Sequence, residues 1–349
     1  MPFAAEPLKR CEARHYTKNW LSPATGGAGA LPLPPMFSYR HAFHAGNHAD
    51  VLKHTVLIAT LDHLLEKDTA LTVVDTHAGA GLYRLDGDYA GTSGEANEGI
   101  FKLLASRTAD AKAAQAARAT KDAEAPPELA PAIARYLEVI ADFNPNGGAR
   151  IYPGSPFITQ HLLRDHDRLK LFELHPTDGR TLDGNIAQLD AGRQIAVLRE
   201  DGFNSVTKFL PPPARRALVL CDPSYELKND YLRVAAFAAE ALKRFATGTY
   251  AVWYPIIPRP EAHDLPRRLK TLATKAGKSW LHATLTVKSS KLLASPTTGE
   301  VKRPGLPASG MFLINPPYTL KAQLAAALPQ LVERLGQDRN AAHSLESGG

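Results

Sequence analysis

A tetrapeptide that combines a carboxylate, a proline and an aromatic ring is the segment of this sequence with the clearest chemical potential. Asp222-Pro223-Ser224-Tyr225 directly follows the apolar run Ala217–Cys221, which is typical of a buried strand in a parallel sheet. Open α/β sheets bind ligands at the carboxyl ends of such strands. The Asp222 carboxylate and the Pro223 carbonyl can accept the two N–H hydrogens of an exocyclic amine while the Tyr225 ring stacks on a flat base. The tetrapeptide therefore indicates methylation of an amine such as N6 of adenine.

The tetrapeptide departs from the strict amine-methylase pattern, which has a second proline where Ser224 stands. A plain β-turn at a strand end also favours Asp, Pro and Ser. A second segment, Asn315-Pro316-Pro317-Tyr318, satisfies the strict pattern and also follows an apolar run. Because it comes after the last predicted strand rather than the fourth, we interpret its prolines as the end of a hairpin. A permuted arrangement with Asn315 as the catalytic residue is the competing hypothesis.

Four acidic residues, Asp75, Glu173, Asp201 and Asp222, each come at or shortly after the end of a predicted strand. Helical segments separate these strands, which predicts an α/β fold with a parallel sheet and helices on both faces. Carboxylates at one edge of such a sheet suit S-adenosylmethionine, because they can bind its ribose hydroxyls, adenine amine or methionine ammonium. Asp is also common at turns and helix caps, so only the occurrence of all four acidic residues at strand ends indicates a cofactor site.

The elements around these strands define the expected domain organisation. A helix from Asn47 has His54 on its buried face, whereas Lys53 points elsewhere. Residues of about 86–150 interrupt the α/β alternation and predict a small helical insertion with a low-complexity stretch. A fifth strand is predicted at 249–254 and a terminal hairpin from 282–287 and 311–314. The domain is expected to span 36–335, between a disordered extension at 1–35 and a disordered tail at 336–349.

The composition limits the classes of protein to consider. The 349 residues are 44% hydrophobic, which supports a sizeable core, and the net charge of +6 favours an acidic partner such as nucleic acid. The two cysteines, Cys11 and Cys221, lie in unlike settings, which favours a reducing, cytoplasmic location. No apolar stretch is long enough to span a bilayer. We expect a monomer without a membrane partner.

Six segments together carry a pattern found in one enzyme family. They are residues 38–54, 75–81, 153–156, 173–176, 201–203 and 222–225. With these segments the chain resembles the bacterial 23S ribosomal RNA adenine-N6-methyltransferases of the RlmJ type, named for adenine 2030 of that RNA. The resemblance extends from Met36 to about Leu335, and its first segment is long and unusual.

The resemblance implies a Rossmann-like methyltransferase that binds S-adenosylmethionine and acts on largely protein-free ribosomal RNA. It implies that Asp222, beside Pro223 and Tyr225, is the catalytic carboxylate. Contacts to the RNA are implied at Tyr39, with His41 and Lys53 as further RNA or active-site contacts. Contacts to the cofactor are implied at His54, His77, Ser155, Glu173, Asp201, Gly202 and Asp222. Ser224, the N-terminal extension and the length of the insertion depart from the family pattern.

Other functions remain open from the residues alone. DNA adenine and protein glutamine N-methyltransferases share the pocket of proline and aromatic ring, and a non-catalytic RNA-binding module would keep the basic charge. The histidines between residues 41 and 54 suggest a metal, but zinc sites usually add Cys or a carboxylate at tight spacing, so we predict no metal. Arg215-Arg216 would form a phosphate track only if it shared a surface with Lys53 and Arg40.

Overall fold

The computed structural model describes residues 41–87, 94–119, 127–290, 293–294, 301–302 and 305–349. The expected disordered extension at 1–35, the proposed domain start at Met36 and the RNA contact expected at Tyr39 lie outside these residues.

Twelve strands and nine α-helices occur in the described residues. The strands are β1 (Thr72–Asp75), β2 (Leu82–Arg84), β3 (Ile151–Pro153), β4 (Arg168–Phe172), β5 (Ile195–Leu198), β6 (Ala217–Cys221), β7 (Thr249–Ile256), β8 (Trp280–Thr286), β9 (Leu293–Ala294), β10 (Val301–Lys302), β11 (Ala308–Ile314) and β12 (Ala342–Gly348). The helices are α1 (His48–Leu65), α2 (Ile100–Ala119), α3 (Pro131–Asp142), α4 (Ser155–Leu162), α5 (Pro176–Ala187), α6 (Gly202–Ser205), α7 (Asn229–Arg244), α8 (Pro260–Lys275) and α9 (Leu320–Leu335).

An eight-stranded sheet forms the centre of the fold, in the order β12-β8-β11-β7-β6-β1-β4-β5. The five strands from β7 to β5 run parallel, whereas β11 is antiparallel to both β7 and β8. The chain passes from β1 outward to β4 and β5 and then returns to β6 on the other side of β1. The strand order therefore reverses between β1 and β6, and ligands bind open sheets at such a point.

The predicted strands are confirmed, because apolar runs such as those of β1 and β6 fit the buried middle of the sheet, and the half-buried run of β5 fits its edge. Ile195–Leu198 and Ala217–Cys221 coincide with β5 and β6, and the predicted fifth strand is the first part of β7. The predicted terminal hairpin is present as the antiparallel pair of β8 and β11.

The tail differs from its prediction. Residues 342–348 were expected to be disordered, but they form β12, which pairs along β8 from Ala342 with Thr286 to Gly348 with Trp280. An edge strand is held by main-chain hydrogen bonds, which small and polar residues form as well as apolar ones. The composition of this segment therefore contained no signal of its structure.

The predicted helical insertion contains α2 and α3. The buried face of α3, formed by Ile133, Tyr136, Leu137 and Ile140, belongs to the same hydrophobic core as α1. Part of the low-complexity stretch, at 120–126, lies outside the described residues. The insertion thus packs against the helix that carries Lys53 and His54 rather than forming a separate core.

Candidate cofactor and active site

An open cavity lies at the carboxyl ends of β1, β4 and β6, with about 1150 Å³ of empty space including its mouth. The topology places it where the strand order reverses. Ten of the residues predicted from the sequence line it: His41, Lys53, His54, His77, Ser155, Glu173, Asp201, Gly202, Asp222 and Pro223. Residues from distant segments of the chain thus meet in one site.

A buried cluster of charges surrounds Asp222. The ammonium of Lys53 lies 2.5 Å from Asp222 Oδ2 and 2.8 Å from Asp50 Oδ1, and only 5% of the Lys53 side chain is exposed. Burial alone would lower the pKa of Lys53, but the carboxylates of Asp222 and Asp50 raise it above its ordinary value. The prediction that Lys53 points away from the buried side of α1 was wrong, because these two carboxylates neutralise its charge inside the protein.

Asp50 was missed by sequence reasoning. Its carboxylate also accepts the main-chain N–H of Gly46 at 2.9 Å and contacts His41 Nε2 at 3.0 Å. Although burial acts in the opposite direction, His41 and Lys53 hold the pKa of Asp50 well below its ordinary value. The spacing of Asp50 and Lys53, three residues apart on a helix, was the available signal.

Tyr225 does not line the cavity. Its backbone is left-handed, with φ of 53°, and its ring is 3% exposed. The ring packs against Tyr231 and Trp253, with centroids 4.6 and 6.0 Å away, and its hydroxyl donates to the Trp253 carbonyl at 2.6 Å. The structure therefore differs from the prediction that Tyr225 stacks on a substrate base, because the backbone turn directs its ring into the core. Ser224 lines the cavity instead.

Two acidic residues lie at this edge of the sheet: Asp75, which is buried beside the cavity residues Thr76 and Ser155, and Glu173, which follows β4 and lines the cavity. Asp75 accepts hydrogen bonds from Ser155 Oγ at 2.6 Å and from the His77 N–H at 3.2 Å. Glu173 accepts the N–H groups of Gly79 and His175, both at 2.7 Å. Burial raises the pKa of Asp75 to about 6 and that of Glu173 to about 7. Both groups would be stabilised as anions by a ligand with positive charge or several donors.

Asp201, after β5, lies at another side of the cavity. This residue caps α6 by accepting the Phe203 N–H at 3.0 Å, and it forms an ion pair with Arg233 at 2.5 Å. Gly202 follows, and a Cβ atom there would lie 2.1 Å from the Thr76 carbonyl oxygen, so only glycine allows α6 to approach β1 so closely. His77 packs edge-on against Phe203, and burial lowers its pKa to about 4.

His54 is fully buried and carries an unpartnered nitrogen. Its Nδ1 lies 2.9 Å from the Tyr152 hydroxyl, whereas Nε2 has no hydrogen-bond partner in the described part of the chain. Buried polar atoms are normally hydrogen-bonded, and because His54 lines the cavity, this nitrogen is available to a ligand bound there. This set of residues fits S-adenosylmethionine. The amine and hydroxyls of the cofactor can donate to the carboxylates of Asp75 and Glu173, and its carboxylate can accept from His54.

The competing motif at Asn315 lies at the other edge of the sheet. The preceding residue, Ile314, pairs with Tyr250 near the start of β7, at the amino ends of the parallel strands. The Asn315 amide donates to the carbonyls of Ala246 and Gly248. The hypothesis that Asn315 is catalytic was therefore wrong, because β11 runs antiparallel to the strand beside it.

Arg216 also lies at this amino edge, directly before β6. Its guanidinium donates to main-chain carbonyls at the end of α1, including that of Leu64. It does not share a surface with Lys53, so the pair Arg215-Arg216 is no phosphate track beside the cavity.

The histidines near α1 form hydrogen bonds within the protein. His44 contacts Glu95 at 3.0 Å, and the ring of His48 donates to the Leu306 carbonyl at 2.9 Å. Across the described ranges, no group of three or more His, Cys, Asp or Glu side chains is arranged to hold a metal ion. None of the helices in the described ranges combines the length and apolar character needed to cross a bilayer.

The sheet order, with the acidic cavity at the reversal point, defines a Rossmann-like methyltransferase that uses S-adenosylmethionine, as predicted. Residues 68–346 match the family described as ribosomal RNA large subunit methyltransferase D, RlmJ, and the chain belongs to this family.

Two named relatives and one solved structure are similar to this protein over most of its length. The ribosomal RNA large subunit methyltransferase J of Escherichia coli K12 is 41% identical over 300 residues, which are 86% of this chain and 94% of the relative. The protein of the same name from Haemophilus influenzae is 38% identical over 301 residues, with the same coverage. A crystal structure of a Legionella pneumophila protein, 31% identical, covers 87% of this chain and 98% of its own, with a TM-score of 0.70.

Proposed function

We propose that the protein transfers a methyl group from S-adenosylmethionine to N6 of an adenine in 23S ribosomal RNA. The observation that carries this proposal is the position of Asp222, which lines the cofactor cavity directly after β6 while Lys53 holds its carboxylate. The names of the Escherichia coli and Haemophilus influenzae relatives support ribosomal RNA as the substrate. By resemblance, the target is adenine 2030.

The cavity residues divide between the two ends of the cofactor. Glu173 would accept the ribose hydroxyls and Asp201 the adenine amine, beside Gly202 and His77. Asp75, which accepts a hydrogen bond from the cavity residue Ser155, would balance the ammonium of the methionine end electrostatically, and His54 would bind near that end. When bound, S-adenosylmethionine supplies an electrophilic methyl group. With the cofactor held in this way, Asp222 would lie on the side of the cavity where the methyl group is transferred.

Asp222 and the Pro223 carbonyl would orient the adenine amine for in-line attack. Lys53 contributes by holding the Asp222 carboxylate in a fixed orientation through a hydrogen bond from its ammonium to Oδ2. Asp222 does not have to be a strong base, because the amine proton becomes acidic only as the N–C bond forms. The main contribution of the protein is therefore alignment of the nitrogen with the methyl carbon.

The target adenine has to leave its stack to reach this cavity, because a base inside a helix cannot approach a buried methyl donor. His41, at the cavity wall beside Asp50, is a candidate contact to the extruded nucleotide. Tyr39 remains a candidate RNA contact from the resemblance. The net charge of +6 suits a polyanionic substrate. We further propose a monomer that acts in the cytoplasm.

The test is methyl transfer to a protein-free 23S ribosomal RNA transcript, with the modified nucleotide located by mass mapping. We expect Asp222→Ala to lower kcat by at least about 100-fold, since alignment of the amine is lost, while S-adenosylmethionine still binds. The matched control is Tyr318→Ala, which alters the aromatic residue of the other motif, 84% exposed at the opposite edge of the sheet. This control should keep full activity.

Full activity of Asp222→Ala on the transcript would contradict the assignment of the catalytic carboxylate. Preferential methylation of duplex DNA or of a protein glutamine by the unaltered enzyme would contradict the substrate. Absence of both S-adenosylmethionine binding and methyl transfer would favour a non-catalytic RNA-binding module, which has no need of the cofactor.

A further inference from the structure

Three buried side chains form a hydrogen-bonded chain from the insertion to the cavity. The hydroxyl of Tyr136, on α3, lies 3.1 Å from that of Tyr152, on β3. The Tyr152 hydroxyl lies 2.9 Å from Nδ1 of His54, on α1. All three residues are fully buried, and His54 is the one that lines the cavity.

The number of protons available fixes the donor and the acceptor in each of these two hydrogen bonds. The Tyr136 hydroxyl contacts the Tyr152 oxygen and no other hydrogen-bonding group among the described residues, so its proton has an acceptor only if Tyr136 donates to Tyr152. Tyr152 must then direct its own proton to Nδ1 of His54. The opposite direction would leave the buried Tyr136 proton without an acceptor, which folded proteins avoid.

The ionisation of the three groups agrees with this direction. Burial raises the pKa of both tyrosine hydroxyls above their ordinary value, so both remain protonated donors. Burial lowers the pKa of His54 to about 3, so its imidazole is neutral and carries one proton. With Nδ1 occupied as an acceptor, that proton resides on Nε2, the nitrogen without a partner in the described structure.

We infer that Tyr152, supported by Tyr136, is a positioning residue that holds His54 as the tautomer protonated at Nε2, which donates to the carboxylate of the cofactor's methionine. This inference rests on the proposed function, which places S-adenosylmethionine in the cavity. The methionine end must lie beside Asp222, and Lys53, the residue next to His54 on α1, contacts Asp222 directly. That end carries an ammonium, which only donates, and a carboxylate, which only accepts. A neutral N–H donor therefore discriminates in favour of the carboxylate.

The inference also assigns a role to the insertion. Tyr136 belongs to α3, inside the segment that interrupts the α/β alternation, and its hydroxyl supports Tyr152, which in turn donates to the cavity histidine. The insertion thus contributes to cofactor recognition without contacting the cofactor.

Calorimetric titration with S-adenosylhomocysteine and with 5′-methylthioadenosine, which lacks the amino-acid end, tests the inference on the full chain without RNA. Tyr152→Phe removes the donor to Nδ1 and should weaken S-adenosylhomocysteine binding about tenfold, the size typical of a hydrogen bond to a charged group. Binding of 5′-methylthioadenosine should stay within about twofold of wild type, because this ligand has no carboxylate. The matched variant Tyr136→Phe also deletes a buried hydroxyl but keeps the Tyr152 bond, and should cost less than about threefold.

Imidazole ¹⁵N spectra of the wild type and of Tyr152→Phe report independently which nitrogen of His54 carries the proton. If Tyr152 had only a structural role, this position would be the same in both proteins. We expect the His54 proton on Nε2 in the wild type and a mixture of tautomers in Tyr152→Phe. A wild-type proton on Nδ1, or equal losses of both ligands in Tyr152→Phe, would overturn the inference. Failure of the wild type to bind S-adenosylhomocysteine would instead contradict the proposed cofactor site. Tight binding without methyl transfer would contradict the proposed function alone.

Discussion

At the scale of single residues, the site depends on one ammonium group between two carboxylates. Lys53 lies within hydrogen-bond distance of both Asp50 and Asp222, and water has little access to any of the three. Removing charges from water is costly, and only close pairing offsets the cost. Asp50 is further stabilised by the Gly46 N–H and His41. Asp222 lines the cavity, and its ion pair with Lys53 fixes the orientation of its carboxylate there.

Lys53→Met is expected to lower the free energy of unfolding by about 3 to 5 kcal/mol, because it leaves two carboxylates close together without a counter-ion. Urea denaturation at neutral pH measures this loss. The double variant Lys53→Met/Asp50→Asn should recover part of it, since only one buried carboxylate remains. Unchanged stability of the single variant would show that the three groups are not coupled.

At the scale of elements, the carboxyl ends of the parallel strands gather acidic groups that burial disfavours as anions. Asp75 has a pKa of about 6 in the folded protein against an ordinary value of 3.8. Between these values the folded protein keeps a proton that the unfolded chain has released. The stabilising effect of that proton is complete below pH 4 and is lost as the pH rises through 6. A cationic ligand in the cavity would reverse this penalty.

Asp75→Asn should remove this pH dependence, because the amide cannot ionise and Ser155 Oγ can accept from it. Without cofactor, the stability of the variant relative to wild type should increase by about 3 kcal/mol between pH 4 and pH 7, following the size of the pKa shift. Urea denaturation at the two pH values provides the measurement. Ser155→Ala removes a hydrogen bond that lowers the pKa of Asp75, so its stability loss should extend above pH 6. A pH-independent difference for Asp75→Asn would refute the assignment.

At the scale of the whole molecule, the sheet combines a parallel half that forms the cavity with an antiparallel half that supports it. The antiparallel half ends in β12, which covers the edge of β8. An uncovered strand edge offers unpaired main-chain groups to other molecules. β8 is separated from the cavity strand β6 by β11 and β7. The edge therefore affects stability and solubility more than the chemistry.

A chain ending at residue 340 is expected to unfold at a lower temperature and to aggregate, because the edge of β8 becomes exposed. Its Kd for S-adenosylhomocysteine, measured below the unfolding transition, should match that of the full chain. A chain lacking only Gly349, which lies beyond β12, serves as the control and should behave as the full chain does. An unchanged unfolding temperature of the shorter chain would show that β12 contributes nothing.

The sequence by itself determined the parallel strands and the acidic residues that follow them. Strand periodicity and position along the chain suffice for Asp75, Glu173, Asp201 and Asp222, since parallel strands expose their carboxyl ends at one edge. The tertiary structure alone decided which side chains meet there. Tyr152 reaches His54 from 98 positions away, and Lys53 turns inward because Asp222 neutralises it. Such contacts depend on packing between elements and on local backbone angles, which the composition of a segment does not encode.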